Sequence, residues 1–302
     1  MTLRPPAAAQ SWQLDKASLR ESFDRASAGY DRAAVLQTRV RGELLERLEL
    51  VGTRPQVILD LGCGTGHAAR ELKRRYRRAT VVALDIAPGM LREAARRRRL
   101  FARFARVCGD ALRVPLRTGS VDLLFSNLML QWCDELDTVL AEMRRVLKPE
   151  GFLSFSTFGP DTLRELRAAW SAVDAAHHVH QFLDMHDVGD ALGRAGLREP
   201  VLDVERLELT YPDVRTLVRD LKSIGAHNAA VTRRRGLTGK DAWQSMTAAY
   251  ETFRRNGTLP ASYEVIYGAA WGAAGAPVAA GEVHIAVDAI RRAPRNAPRT
   301  RG

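Results

Sequence analysis

A chain of 302 residues with 46% hydrophobic content can bury a sizeable core, which sets aside a disordered protein, and no stretch reaches the roughly 20 apolar residues of a membrane span. Residues 1–15 lack the apolar segment of a signal peptide, and Cys63, Cys108 and Cys133 are an odd set without CxxC spacing, so a cytoplasmic protein without a disulfide framework is expected. The net charge of +11 suits an acidic partner, whether nucleic acid, anionic membrane or acidic protein, or else arginine-rich helix faces that are simply solvated.

From residue 18 to 50 the apolar side chains recur at helical spacing, with Leu36, Val40, Leu44, Leu45 and Leu48 in one stripe. Residues 1–50 are therefore a helical segment leading into the core. A buried strand over 57–61 ends at glycines, and a helix carrying Ala68, Ala69, Leu72 and Tyr76 follows. The next strand, 80–84, closes on Asp85, and Pro88 opens another helix through Met90, Leu91, Ala94 and Ala95. A third strand ends at Gly109 and Asp110, and a fourth, 121–126, ends at Asn127. Leu136, Val139, Leu140, Met143 and Leu147 mark a helix stopped by Lys148, Pro149 and Gly151, and 152–158 is a fifth strand.

This alternation predicts a doubly wound α/β fold with a mostly parallel sheet of seven strands, because parallel neighbours need long crossovers. Beyond Gly159 helices over 161–176, 186–194, 213–225 and 240–255 are interrupted by two strand-like runs, 201–211 and 263–271. The expected organisation is a binding core over 51–160, remaining core strands over 161–290 with a helical substrate lid at about 212–260, and a disordered basic tail over 291–302.

Ligands in such sheets sit at the carboxyl ends of strands, where Asp60, Asp85, Asp110 and Asn127 all fall. In ILDLGCGTG, residues 58–66, Gly62, Gly64 and Gly66 let the backbone approach a ligand closely. Asp60 just before them would repel a pyrophosphate and suits the amino-acid half of a cationic ligand. Asp85 is placed to accept both hydroxyls of a ribose, and Asp110 to accept from an adenine amino group.

These motifs resemble those of class I S-adenosylmethionine methyltransferases over residues 42–159, with the glycine motif, the acidic end of the second strand, GDA and DLLFSN in the expected order. The resemblance implies S-adenosyl-L-methionine as the methyl donor, with S-adenosyl-L-homocysteine as the product and no metal. It also implies a cofactor site of Asp60, Gly62, Cys63, Gly64, Gly66, Asp85, Ile86, Met90, Asp110, Ala111, Leu112 and Asn127. Tyr30 and Gln37 are expected to close over it from the N-terminal segment, Tyr30 packing on a helix being the ordinary alternative.

A narrower resemblance covers nearly the whole chain. FDRASAGYDRAAVLQ at 23–37, SNLMLQWCDEL at 126–136, STFGPDTLREL at 156–166, FLDMHDVGDAL at 182–192, RDLKSIGAHN at 219–228 and YEVIYGAAW at 263–271 are similar to the malonyl-acyl-carrier-protein O-methyltransferases of biotin synthesis. The resemblance implies methyl transfer to the free carboxylate of a malonyl thioester on an acidic carrier protein, or on coenzyme A. That carboxylate needs a cation, for which Lys222 and Arg219, i and i+3 on one face of the lid helix, are the candidates, Lys222 being favoured over Arg219. Trp132, soon after the fourth strand, is placed to line the pocket, or else to serve as a core tryptophan.

His177, His178, His180 and His186 contain an HxH pair, but no cysteine or carboxylate pair completes a metal site. The basic clusters at 74–78, 96–99 and 233–235 are candidate docking surfaces for the carrier, and their few neighbouring aromatics argue against nucleic acid. The alternatives are a class I enzyme acting on another small carboxylic acid or an RNA base, and a cofactor-binding protein without turnover.

Overall fold

The computed structural model describes residues 14–96, 103–176, 178–226 and 239–274. Seven strands form one sheet: β1 (Val57–Leu61), β2 (Thr80–Asp85), β3 (Ala105–Cys108), β4 (Val121–Asn127), β5 (Leu147–Phe158), β6 (Arg198–Tyr211) and β7 (Leu259–Trp271). Their order is β3-β2-β1-β4-β5-β7-β6, with parallel pairing from β3 through β5 and β7 antiparallel to both β5 and β6. The strand order reverses between β1 and β4, the point at which open α/β sheets leave a crevice at their carboxyl ends.

Three helical pieces precede the sheet: α1 (Lys16–Ala26), α2 (Tyr30–Ala33) and α3 (Val35–Arg47). The single stripe expected over 18–50 is thus broken twice, at residues 27–29 and at Ala34, whose φ and ψ of −81° and 46° leave the helical region. The apolar stripe survives the breaks, because Leu36, Val40, Leu44, Leu45 and Leu48 are all buried.

Helices α4 (His67–Arg75) and α5 (Pro88–Arg96) cross between the first three strands, and α6 (Leu136–Val146) leads into β5. Leu147, expected as the last apolar residue of α6, instead starts β5 by pairing with Val121, and the register shifts before Phe152 pairs with Leu123. α7 (Arg164–Ser171) and α8 (Met185–Arg194) follow, and α9 (Val214–Ser223) and α10 (Lys240–Glu251) lie between β6 and β7. α7 starts three residues later than expected. Leu163 sits at a φ of 55°, and the N–H of Asp161 donates to Glu264 at 2.9 Å, so the chain turns before the helix begins.

Alternation along the strands decides which layer each side chain meets. Ile58, Ala83 and Phe125 pack with Leu44, Leu72 and Ala94 on one face, while Leu59, Leu84 and Leu124 pack with Met143 and Leu192 on the other. Each fully buried leucine contributes roughly 1.5–3 kcal/mol relative to exposure. The same period of two places Asp60, two residues after Ile58, and Asn127, two after Phe125, toward the face that α3 and α4 cover.

Candidate functional site

At the end of β1 the glycine turn rests on the end of β2. The Leu84 carbonyl accepts from the N–H groups of Gly62 and Cys63, each at 2.9 Å, and the Asp85 carboxylate accepts from Gly64 N–H at 2.8 Å. Gly62 has a φ of 75°, and a Cβ there would lie 2.3 Å from Met129 Cγ. Gly64, at a φ of 51°, has nothing within 4 Å of a Cβ position, so its peptide borders open space. Gly66 is different: it borders neither the cavity above the turn nor the recess at its inner end, and its φ of 79° together with a Cβ position 2.8 Å from Ala94 Cβ suits it to the close approach of α4 and α5.

A cavity opens above this turn. Its lining brings together Gly62, Gly64, Asp85, Ile86 and Met90 with Asp110, Ala111, Leu112 and Asn127 from the third and fourth strand ends. The N-terminal segment roofs it through Lys16, Leu19, Phe23 and Tyr30, and several polar contacts tie that roof to the core. Leu14 N–H donates to Asp134 at 3.1 Å, Lys16 Nζ lies 3.5 Å from Asp110, Gly89 N–H donates to Asp24, and Thr65 Oγ1 donates to Asp31 at 2.6 Å. The sequence reading missed Lys16, Asp24, Asp31 and Asp134, because nothing local to them marks a site. Asp110 is more engaged than expected, since it also accepts from Leu112 N–H at 3.0 Å.

Cys63 and Gln37 border a smaller recess at the inner end, together with Arg41, Asp60, Thr65 and Asn127. Asn127 Nδ2 donates to the Gln37 carbonyl at 3.2 Å, and its Oδ1 accepts from Ser156 Oγ at 3.1 Å, which pins α3 across the end of β4. Asp60 is 1% exposed, and its Oδ2 has no hydrogen-bond partner. Burial pushes its carboxyl up to about 7, against an opposing amide N–H of Ala69, and Asp85 adds a further upward push. Asp85 is raised to about 6 by burial, in spite of the Ala87 and Gly64 N–H groups it accepts from. Two buried acids with unspent negative potential, one with an orphaned oxygen, fit a ligand that carries positive charge.

This charge has a pH signature. Both acids sit above the ordinary value of 3.8, so between about pH 4 and 7 the folded protein holds protons that the unfolded chain has released. Stability without ligand therefore falls as pH rises through that window. A cationic ligand favours the ionised acids, so its affinity rises over the same interval and levels off above about pH 8. Calorimetry of S-adenosylmethionine binding at pH 6 and pH 8, in buffers of different ionisation enthalpy, is expected to show weaker binding with proton release at pH 6. Equal affinity at both values would contradict the assignment of charge.

A second, larger cavity lies on the other side of Tyr30, Phe23, Leu128 and Trp132, which line both spaces. Trp132 meets Phe23 edge to face at 5.4 Å and stacks on His180 at 6.1 Å. Burial, with Asp85 second, keeps the Tyr30 hydroxyl neutral far above its usual range. The lining also includes Phe158, Leu163, Phe182, Leu221 and Ile224, with Gln37, Gln131, Thr162, Thr210, Tyr211 and Tyr263 among its polar groups and two acids, Glu208 and Asp220.

Arg219 and Lys222 are not brought to this cavity. Both are exposed and border grooves on the outer side of α9, whereas Leu221 and Ile224 line the cavity and Asp220 borders both the cavity and one outer groove. A spacing of i and i+3 fixes a shared helix face but not which way that face turns. Among the described residues no lysine or arginine lines the larger cavity. The basic residues 97–99 and 233–235, His177 and the tail 291–302 lie outside the described residues. His178 stacks on Trp170 at 3.8 Å and meets Asp174 at 2.8 Å, and His186 meets Asp184 at 2.6 Å beside the start of α8. Among the described residues no group of three or more histidine, cysteine or acidic side chains converges as a metal site, and no helix is long and apolar enough to cross a membrane.

Residues 59–155 match the family described as a methyltransferase domain. Over 269 residues the chain is 55% identical to the malonyl-acyl-carrier-protein O-methyltransferase of Methylovorus sp. (strain MP688), covering 87% of this chain and 91% of that protein. It is 48% identical over 292 residues to the enzyme of the same name from Halorhodospira halophila, covering 95% and 98%. Among solved structures, a methyltransferase-fold protein from Bacillus halodurans superposes with a TM-score of 0.54 at 17% identity, covering 76% of this chain and 98% of that one. An S-adenosylmethionine-dependent methyltransferase from Thermotoga maritima gives 0.50 at 15%, covering 84% and 99%. At those identities the structural likeness speaks for the fold, which is that of the class I methyltransferases.

Proposed function

Because the chain belongs to the malonyl-acyl-carrier-protein O-methyltransferase family, we propose that its two adjoining cavities bring the methyl of S-adenosylmethionine to the free carboxylate of a carrier-bound malonyl thioester. The product is the malonyl methyl ester of early biotin synthesis. The observation that carries this reading is the shared wall of Phe23, Tyr30, Leu128 and Trp132, which separates a cofactor cavity bordered by Asp85 and Asp110 from an acceptor cavity lined mainly by rings and aliphatic side chains, with Glu208 and Asp220 also on its border.

When bound, S-adenosylmethionine supplies an electrophilic methyl on a sulfonium sulfur. Asp85 receives its ribose and the strip from Asp110 to Leu112 its adenine, while Ile86 and Met90 give the apolar contact beside them. The acceptor carboxylate has an ordinary pKa near ~4 and is ionised at neutral pH, so no residue has to remove a proton. The protein's work is positioning and exclusion of water. Phe158, Phe182, Leu163 and Trp132 keep the acceptor cavity dry, and Tyr30 at the junction offers a neutral hydroxyl to the carboxylate. Tyr211 and Thr210 offer others deeper in. Neutral donors hold an anion without withdrawing as much of its charge as a guanidinium does, which suits a carboxylate that must act as nucleophile.

With Arg219 and Lys222 outside the cavity, their assignment changes. Helices α9 and α10 form the lid over about 212–260. Its outer face presents Arg215, Arg219 and Lys222, with Arg25 and Arg32 across the adjoining groove, to an acidic carrier protein in the cytoplasm. The double variant R219E/K222E is expected to raise KM for malonyl carrier protein about tenfold at low salt and less at high salt. Turnover of malonyl-pantetheine and the affinity for S-adenosylmethionine stay unchanged. A matching loss on both acceptors would return these residues to the cavity.

Offering malonyl carrier protein, malonyl-CoA and free malonate in parallel tests the acceptor. Mass spectrometry is expected to show methylation favouring the carrier, and preferential methylation of free malonate or of RNA would overturn the reading.

A further inference from the structure

The inner recess beneath the glycine turn holds charges that the cofactor's adenosine and methyl do not account for. Asp60 Oδ2 is buried there with no hydrogen-bond partner, and Gln37, whose buried Oε1 also has none, borders both this recess and the larger cavity. Two acceptors left bare in a protein interior cost free energy unless a donor arrives. Arg41, one helical turn after Gln37 on α3, borders the same recess and makes no ion pair among the described residues. Burial lowers its pKa, and Asp60 is the largest influence opposing that fall. Bare acceptors therefore stand on one side of a small space and an uncommitted guanidinium on another.

The other charged groups around the recess are engaged elsewhere. Asp31 accepts from Thr65 Oγ1 at 2.6 Å, and Asp85 holds the N–H groups of Gly64 and Ala87. His67 is driven down to about 4, by burial first and then by Arg41 and Arg70, so it stays neutral. Glu71 is paired with Arg74 at 2.5 Å. A ligand head that satisfies what remains carries an ammonium and a carboxylate on neighbouring atoms, which is a free α-amino acid.

We infer that Arg41 is the counter-charge for the carboxylate of the cofactor's methionine, and that with Gln37 and Asp60 it makes the site selective for an intact α-amino-acid head. This rests on S-adenosylmethionine as the donor. Period-two alternation puts Asp60 on the α3 side of the sheet, and the bond from Asn127 to the Gln37 carbonyl fixes that turn of α3 over it. Arg41 is thus a binding and specificity residue that touches the cofactor, remote from the acceptor cavity.

Calorimetry with three probes tests it: S-adenosylmethionine, its decarboxylated analogue, and 5′-methylthioadenosine, which lacks the whole amino acid. The native protein is expected to bind S-adenosylmethionine about 10- to 100-fold more tightly than the decarboxylated form, the range of one charge-assisted bond. Arg41→Met removes that preference to within about threefold and leaves methylthioadenosine binding unchanged, and Arg41→Lys keeps part of it. Equal binding of the two cofactors by the native protein overturns the inference without any variant. So does a preference that survives in Arg41→Met, or a variant whose only defect is a raised KM for the malonyl thioester, since Arg41 would then serve the acceptor. No acceptor is present in the calorimetry, and the KM for the malonyl thioester is read in a separate assay. An Arg41-dependent preference in a protein that transfers no methyl to malonyl would leave this inference standing while the proposed function fell.

Discussion

Asp60→Asn is expected to stabilise the unliganded protein at pH 8 while weakening S-adenosylmethionine binding about 100-fold. The two effects share one cause. Asp60 is a carboxylate 1% exposed, raised by burial to about 7, with one oxygen that nothing in the fold satisfies. Above that pH it is ionised at a cost to the folded state. An amide carries no charge to desolvate and can still accept from the Ala69 N–H, so relief of about 2 kcal/mol is expected. The cofactor's ammonium loses its charged acceptor, and a hydrogen bond to a charged group is worth about 1.5–3 kcal/mol. Thermal unfolding at pH 5 and pH 8 with calorimetry on the same samples gives both answers. The gain should vanish at pH 5, where native Asp60 already holds its proton. A variant that is destabilised and binds the cofactor normally would mean that Asp60 is a structural acid.

Gly62→Ala is the most damaging single methyl the site can receive. Its φ of 75° is a conformation that costs an L-residue about 1–2 kcal/mol, and the new Cβ would lie 2.3 Å from Met129 Cγ and 2.6 Å from its Cβ. Overpacking of this kind adds about 1–3 kcal/mol, so a loss near 3 kcal/mol is expected together with loss of cofactor binding. Gly64→Ala separates the two effects. At a φ of 51° it has open space around the new methyl, so it should cost only about 1 kcal/mol of stability while still obstructing the cofactor. Denaturant unfolding curves for both variants decide. Equal losses of stability would show that Met129 yields, and that Gly62 is needed for its backbone angle alone.

The sheet was legible because its signals are local. Buried apolar runs ending in a glycine, a carboxylate or a carboxamide mark β1, β2 and β4 almost to the residue, and Asp85 and Asn127 at the ends of β2 and β4 border the first cavity. What escaped depends on where distant segments meet. Leu147 has the spacing of a helical residue, but pairing with Val121 across the sheet takes it into β5. Arg41 looks like any charge on an amphipathic helix until α3 is laid over the Asp60 face of β1. Arg219 and Lys222 were grouped correctly on one face, yet their direction is set by Leu217 and Val214, which bury the opposite one. The roof contacts of Lys16, Asp24 and Asp31 join residues far apart in sequence, and no spacing rule reaches them.

The division of labour that emerges is electrostatic. In the proposed reading the buried acids Asp60 and Asp85 lie beneath the cofactor, and the acceptor cavity offers hydroxyls and rings at the junction, with its own acids Glu208 and Asp220 on the β6 and α9 parts of the lining. Methyl transfer from a cation to an anion discharges both partners, so a site that binds the two separately, across one wall, need supply little beyond orientation.

The most direct test of that account is to locate the transferred methyl. Malonyl carrier protein incubated with the enzyme and S-adenosylmethionine labelled with 13C in its methyl should show, by tandem mass spectrometry of the released pantetheine fragment, one labelled methyl on the distal malonyl oxygen as an ester. A labelled methyl on carbon, sulfur or the carrier's own side chains, or no transfer from an enzyme shown by calorimetry to bind the cofactor, would contradict it.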